Sequence, residues 1–195
     1  MATTATPMGA EPTDTLSASG SFTGKVRHIK IASAYGTAIF YGDFVKLVAA
    51  GTVEKAAVTT AVAAGTVGIF VGCTYTDPNS SQMTFNQQWP ASTTASDAYA
   101  YVVDDPKLLF RMQGDEAIAQ TGLGNNVSAV STAGSTSIGR SKNALDGGSI
   151  ATTNSLPLRI VDFVDGPTSA VGDTYTDCIV TYLPLSHAYE TKLGV

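Results

Sequence analysis

Apolar residues recur along this chain at two-residue spacing, in short runs separated by Gly, Pro, Asn and Asp, and that spacing predicts β-strands. Residues 38–48 (AIFYGDFVKLV) form an apolar run broken at Gly42-Asp43, which predicts a bulge or tight turn. A short strand comes next in 52–58. Residues 67–75 are almost continuously apolar, as expected of a central strand buried on both faces. Residues 98–103 alternate, with Tyr99, Tyr101 and Val103 on one face, and Asp104-Asp105-Pro106 then turns the chain. Leu108, Phe110 and Met112 line one side of the next strand. Later strands are expected in 156–164 and 175–183, the second with Cys178, Val180 and Tyr182 on one face. Helical periodicity is nearly absent, the best candidate being 115–120 (DEAIAQ) with its acidic start. Residues 121–154, rich in Gly, Ser and Asn, read as long loops with one weak strand. The predicted class is all-β: an antiparallel β-barrel or sandwich with long Gly/Ser-rich loops and an extended N-terminal arm.

That arm, residues 1–24, is rich in Thr, Ala, Ser and Pro and has too few large apolar groups to fold alone. The β-rich domain then runs over 25–195, either as one body or as two lobes of about 25–113 and 114–195. The N-terminus has neither a basic region nor an apolar core of the kind a signal peptide needs. No apolar run reaches the roughly 20 residues that span a bilayer. Synthesis and residence in a cytoplasm are therefore expected, without membrane association, and the sequons at Asn79 and Asn126 are read as chance.

Composition narrows the function classes. Charged residues are 14% of the chain, against roughly 25% in an average domain. Thr, Ser, Ala and Gly replace them, which leaves a surface that repels partners weakly. The net charge of −5 opposes nucleic-acid binding, which needs a concentrated positive field. The densest basic run holds Lys25, Arg27, His28 and Lys30. As a strand it puts Lys25, Arg27 and Ile29 on one face and Val26, His28 and Lys30 on the other. It reads as a charge-guarded edge strand or as a docking site for an acidic protein partner. Cys73 and Cys178 lie in apolar runs and are expected to be buried free thiols.

No motif predicts a reaction. Gly134-Ser-Thr-Ser-Ile-Gly139-Arg140-Ser141 has the outline of a phosphate-binding loop, but Arg replaces the essential Lys, and residues 141–148 cannot extend a helix beyond it. Gly122-Leu-Gly124 is more simply a turn. His28 and His187 are far apart and lack matched partners, so a Ser186–His187–Asp arrangement has no specific support, and His187 reads as a packing or interface residue. No Cys/His spacing suits zinc. The pairs Asp104-Asp105, Asp162 with Asp165, and Asp173 with Asp177 sit beside turn residues, where Asp bonds its own backbone; a calcium site is the minor alternative. Trp89, before Pro90, is either a core anchor or an interface hot spot. No catalytic, cofactor or metal site is assigned.

The order of these segments resembles that of the head decoration (cement, or capsid-stabilising) proteins of tailed bacteriophages. The resemblance runs through Gly68-Ile-Phe-Val-Gly-Cys-Thr-Tyr, Trp89-Pro90, Asp97-Ala-Tyr-Ala-Tyr-Val-Val-Asp-Asp-Pro and Phe110-Arg-Met-Gln113. It continues through Gly139-Arg140-Ser141, Leu145-Asp146 and Leu156-Pro-Leu-Arg-Ile-Val, covering roughly residues 38–185. It implies a small β-rich protein, often trimeric, on the outside of an icosahedral head, where it bridges major capsid subunits. Lys25, Arg27, Lys30, Trp89 and His187 are then the candidate capsid or subunit interface. Two other classes compete: a tail, fibre or adhesin module that binds protein or glycan, and a hydrolase built on His187.

Overall fold

A computed structural model describes residues 4–17, 24–59 and 66–190. The remainder of the predicted arm, with the last five residues, lies outside these. In chain order the strands are β1 (Glu11–Thr15), β2 (Arg27–Lys30), β3 (Ile39–Phe40), β4 (Phe44–Leu47), β5 (Val53–Lys55), β6 (Thr66–Thr76) and β7 (Met83–Asn86). They continue with β8 (Gln88–Trp89), β9 (Tyr99–Val103), β10 (Leu108–Gln113), β11 (Asn126–Val130), β12 (Ala144–Ala151), β13 (Leu158–Phe163) and β14 (Asp177–Tyr182).

Every pairing between these strands is antiparallel. One sheet runs β1-β10-β14-β13-β11-β12 and the other β2-β9-β6-β4-β5, with β7 also on β6; β3 and β8 form a two-stranded ribbon. The arrangement is sandwich-like rather than a closed barrel. Single bridges, Ile31 to Val53 and Gly114 to Leu145, tie strand ends together without closing either sheet. No helix among the described residues is long and apolar enough to cross a membrane.

Two cores arise from the alternation of side chains. Phe110, Met112, Leu158, Ile160, Cys178, Val180 and Tyr182 of the first sheet pack against Phe44, Ile69 and Val103 of the second. The opposite face of the second sheet buries Ile29, Val45, Val67, Phe70, Cys73, Tyr75, Trp89, Ala100 and Val102. β6 therefore serves both cores and lies centrally, as its unbroken apolar run predicts. Gly68 is required there: a Cβ would sit 2.1 Å from the Val103 carbonyl oxygen of β9.

Three local expectations change. Residues 115–120 are not an α-helix; a single 3-10 turn stands instead at Gln120–Gly122. Residues 121–154 hold two full strands, β11 and β12, and Gly147 is tolerated because Glu116 packs where its Cβ would be, 2.6 Å from the glutamate Cγ. β1 of the predicted arm is an edge strand of the chain's own first sheet, paired with β10. Ala10 is wholly buried in the core there, its N–H donates to the Gly42 carbonyl at 2.9 Å, and Glu11 pairs with Arg140.

Candidate docking face

The second sheet exposes one face over its β2-β9-β6-β7 half. Alternation sends Ile29, Ala100, Val102, Cys73 and Tyr75 inward, all buried. It sends His28 and Lys30 of β2, Tyr99 and Tyr101 of β9, Thr74 and Thr76 of β6, and Met83 and Phe85 of β7 outward. The register lines these up across the strands: Lys30 opposite Tyr99, Tyr99 opposite Thr74, and Thr74 opposite Phe85. Thr76 lies opposite Met83.

At the centre of this face is Gly72, paired with Tyr101. A Cβ at Gly72 would press on the Asn86 carbonyl oxygen of β7 at 3.2 Å and stand in ordinary contact with the Tyr101 ring at 3.7 Å. Tyr101 stacks nearly parallel on Phe85 across β6, with centroids 6.5 Å apart and planes 8° from parallel. On its other side the His28 ring meets it edge-on at 4.6 Å. The result is an aromatic row over three strands. Phe85 is 70% exposed and Met83 68%, with Tyr99 at 41%. Large apolar side chains grouped this way make the face a candidate contact surface.

Charge is sparse on the face. Lys30 is exposed and has no carboxylate partner among the described residues. Asp97 sits at one end, its carboxylate accepting from Thr76 Oγ1 at 2.6 Å and from the Thr76 N–H at 3.2 Å. Those two bonds hold its pKa below the ordinary carboxylate value.

The five residues singled out from sequence separate. Lys25 and Lys30 are exposed. Arg27, on the inward-facing register, turns to the rim: its Nε lies 2.5 Å from Asp104 Oδ2 and its guanidinium covers the Tyr189 ring at 5.4 Å. Trp89 is completely buried, edge-on to Tyr75 at 5.4 Å, with Nε1 donating to the Tyr35 carbonyl at 3.2 Å. His187 is also completely buried, between the rings of Tyr182 and Tyr189. Neither of these two side chains is offered to a partner by the single chain, because each fills the apolar interior of its own fold. Met83, Phe85 and Tyr101 were missed, although Met83-Thr-Phe-Asn-Gln-Gln-Trp89 carries the alternation that marks β7 and β8.

His187 belongs to a structural clamp. Its Nδ1 accepts the Tyr189 N–H at 3.3 Å, so the neutral ring carries its hydrogen on Nε2. Burial lowers its pKa, opposed by the Val67 backbone and by the charges of Glu190, Asp104 and Asp105. The Tyr189 hydroxyl donates to Asp104 at 3.1 Å and the Ala188 N–H to the Thr66 carbonyl at 2.7 Å. Residues 188 and 189 are thereby tied to the second sheet. The neighbouring Ser186 hydroxyl is buried and bonded to nothing, so no substrate reaches a Ser–His pair here.

The remaining candidates are absorbed into the fold. Residues 134–141 form a turn in which Gly134 abuts the Phe40 ring and Arg140 stacks over Tyr41 at 4.9 Å. Ser141 there donates to the buried Asp43 at 2.7 Å, and the next element is strand β12, not a helix. Asp105 accepts from the Thr15 hydroxyl, Asp162 from the Phe163 N–H, Asp173 from the Ala170 N–H, and Asp177 pairs with Arg111. Among the described residues no group of three or more His, Cys, Asp or Glu side chains could hold a metal ion. Comparison of the chain with known protein families, characterised proteins and solved structures finds no match.

Proposed function

We propose that this protein is a structural component of a tailed-bacteriophage virion, a head decoration protein that binds the outside of the icosahedral capsid and bridges major capsid subunits. The observation that carries the reading is how its side chains are used. The Asp43 and Asp104 carboxylates, the His187 ring and the serine of the glycine-rich turn all serve as internal ties, while the two most exposed large apolar side chains among the described residues, Phe85 and Met83, stand together on one sheet face. Such a chain contributes contact area and rigidity rather than a reaction. The resemblance of its ordered motifs to those of decoration proteins supports the same reading, and it carries the expectation of a homo-oligomer, a trimer, made in the host cytoplasm. The exposed turn at residues 77–82 and the loop at 90–98 are the elements this reading assigns to shell contact. A protein that binds only the assembled shell stabilises it by mass action, against heat and against the pressure of packaged DNA.

The test is reconstitution. Purified protein added to expanded shells that lack it should co-sediment with them at a fixed ratio and raise the temperature at which they disrupt. Failure to bind such shells, with binding instead to tails or to cell-surface glycans, overturns the reading.

A further inference from the structure

We propose that Lys55 and Asn143 react with one another inside the folded chain, forming an isopeptide bond and releasing ammonia, with Asp43 carrying the proton between them. The reaction happens once per molecule and takes no outside substrate. It goes beyond the decoration reading and stands on the interior of the sandwich alone.

Three separate segments bring the groups together. Asp43 stands at the turn before β4 and Lys55 ends β5, both in the second sheet, while Asn143 immediately precedes β12 of the first. Asp43 is completely buried, Asn143 is 2% exposed and the Lys55 side chain 15%. One carboxylate bridges the other two side chains: Asp43 Oδ2 lies 2.8 Å from Lys55 Nζ, and Asp43 Oδ1 accepts from Asn143 Nδ2 at 3.2 Å. The Asn143 amide is held from its other end as well, its Oδ1 accepting the Thr132 N–H at 3.0 Å. Its backbone N–H donates to Ser141 Oγ at 3.1 Å. The Phe40 ring covers the amine, its centroid 5.7 Å from Lys55 Nζ.

Each group supplies a part that the reaction needs. An ammonium is no nucleophile until it gives up a proton, and the Asp43 carboxylate is in hydrogen-bond contact to take it. The Lys55 amine then attacks Asn143 Cγ, and the new C–N bond leaves negative charge on Oδ1. The Thr132 N–H already points at that oxygen and stabilises the charge as it develops. Asp43 passes its proton to Asn143 Nδ2, the old C–N bond breaks, and ammonia leaves with the second proton of the attacking nitrogen as ammonium. One amide and one ammonium replace one amide and one ammonium, Asp43 ends as it began, and no oxidant, reductant or activating reagent is required. The flexible four-carbon stem of Lys55 has the rotational freedom to carry its amine from the carboxylate to the amide carbon. Burial keeps out water, the competing nucleophile. Asp43 itself is the poorer target, since a carboxylate resists nucleophilic attack. The bond would join β5 of one sheet to the start of β12 of the other, a covalent staple across the sandwich.

The experiment is mass spectrometry on the purified full chain, unfolded before measurement. The wild type should be one ammonia lighter than its sequence, with removal of Met1 allowed for. Trypsin should leave residues 47–107 and 143–159 as a single branched peptide, uncut after Lys55. Lys55→Arg, Asn143→Ala and Asp43→Ala should each show the full sequence mass and separate peptides, and the first two should melt below the wild type. The wild-type mass and peptide map decide the matter whether or not any variant folds. A wild type of full mass overturns the inference. So does a lighter chain whose two peptides run separately, a chain one water lighter with Lys55 joined to Asp43, or an Asp43→Ala chain that still loses ammonia. Shell binding has no bearing on these masses: an unmodified chain that binds shells overturns this inference alone, and a cross-linked chain that binds none overturns the decoration reading alone.

Discussion

Lys55 Nζ lies 2.8 Å from Asp43 Oδ2, and the carboxylate it meets is completely buried. The same carboxylate accepts the Phe40 N–H at 2.9 Å, the Ser141 hydroxyl at 2.7 Å and the Asn143 amide at 3.2 Å. Two segments about a hundred residues apart are thus joined by one fully bonded buried charge. A buried ion pair contributes little net stability when intact but costs much when one partner is lost. Asp43→Ala should therefore destabilise the protein by about 3–5 kcal/mol in urea unfolding, because it strands the Lys55 ammonium in the interior. A double-mutant cycle with Lys55→Met should show strong coupling, and additive losses would refute the network.

Gly68 makes a second, purely steric prediction. A methyl group at this position meets the Val103 carbonyl at 2.1 Å, and neither backbone can move without breaking β6 from β9. Gly68→Ala should cost at least about 3 kcal/mol, beyond the usual penalty for overpacking. Gly36→Ala, where nothing lies within 4 Å, should stay within about 0.5 kcal/mol of wild type. Equal unfolding midpoints for the two variants would contradict the packing around β6.

Burial of the sole tryptophan and both thiols is open to direct observation. Trp89 should emit at short wavelength, resist quenching by iodide and shift to the red on unfolding. Burial pushes the Cys73 and Cys178 thiols up to about 12, so neither forms thiolate at neutral pH. Native protein should leave a thiol reagent unconsumed, and denatured protein should titrate two equivalents. Rapid modification in the native state would contradict this.

His187 predicts the response to acid. Its folded pKa lies below the ordinary 6.5, so on acidification the unfolded chain takes up a proton before the folded one does. Its contribution to stability is complete above that ordinary value and is lost as the pH falls below it. His187→Asn keeps an acceptor for the Tyr189 N–H but does not titrate. Unfolding free energies measured between about pH 7.5 and pH 5.5 should fall more steeply for wild type than for this variant. Parallel curves would show that the ring does not titrate with unfolding.

Period-two spacing and turn residues determined the all-β class and most of the strands, because alternation against a core leaves its mark on each strand separately. The continuous apolar run of β6 marked it as central, and the faces of β10 and β14 could be read directly from Leu108, Phe110, Met112, Cys178, Val180 and Tyr182. Only the tertiary structure separated sandwich from barrel, since closure depends on which strand ends meet. It alone buried Trp89 and His187, whose side chains serve a core or an interface equally well until their neighbours are known. The aromatic face likewise exists only when β7 and β9 lie on either side of β6. Phe85 and Tyr101 stand 16 residues apart in the chain, and the stack forms only because β7 and β9 both pair with β6.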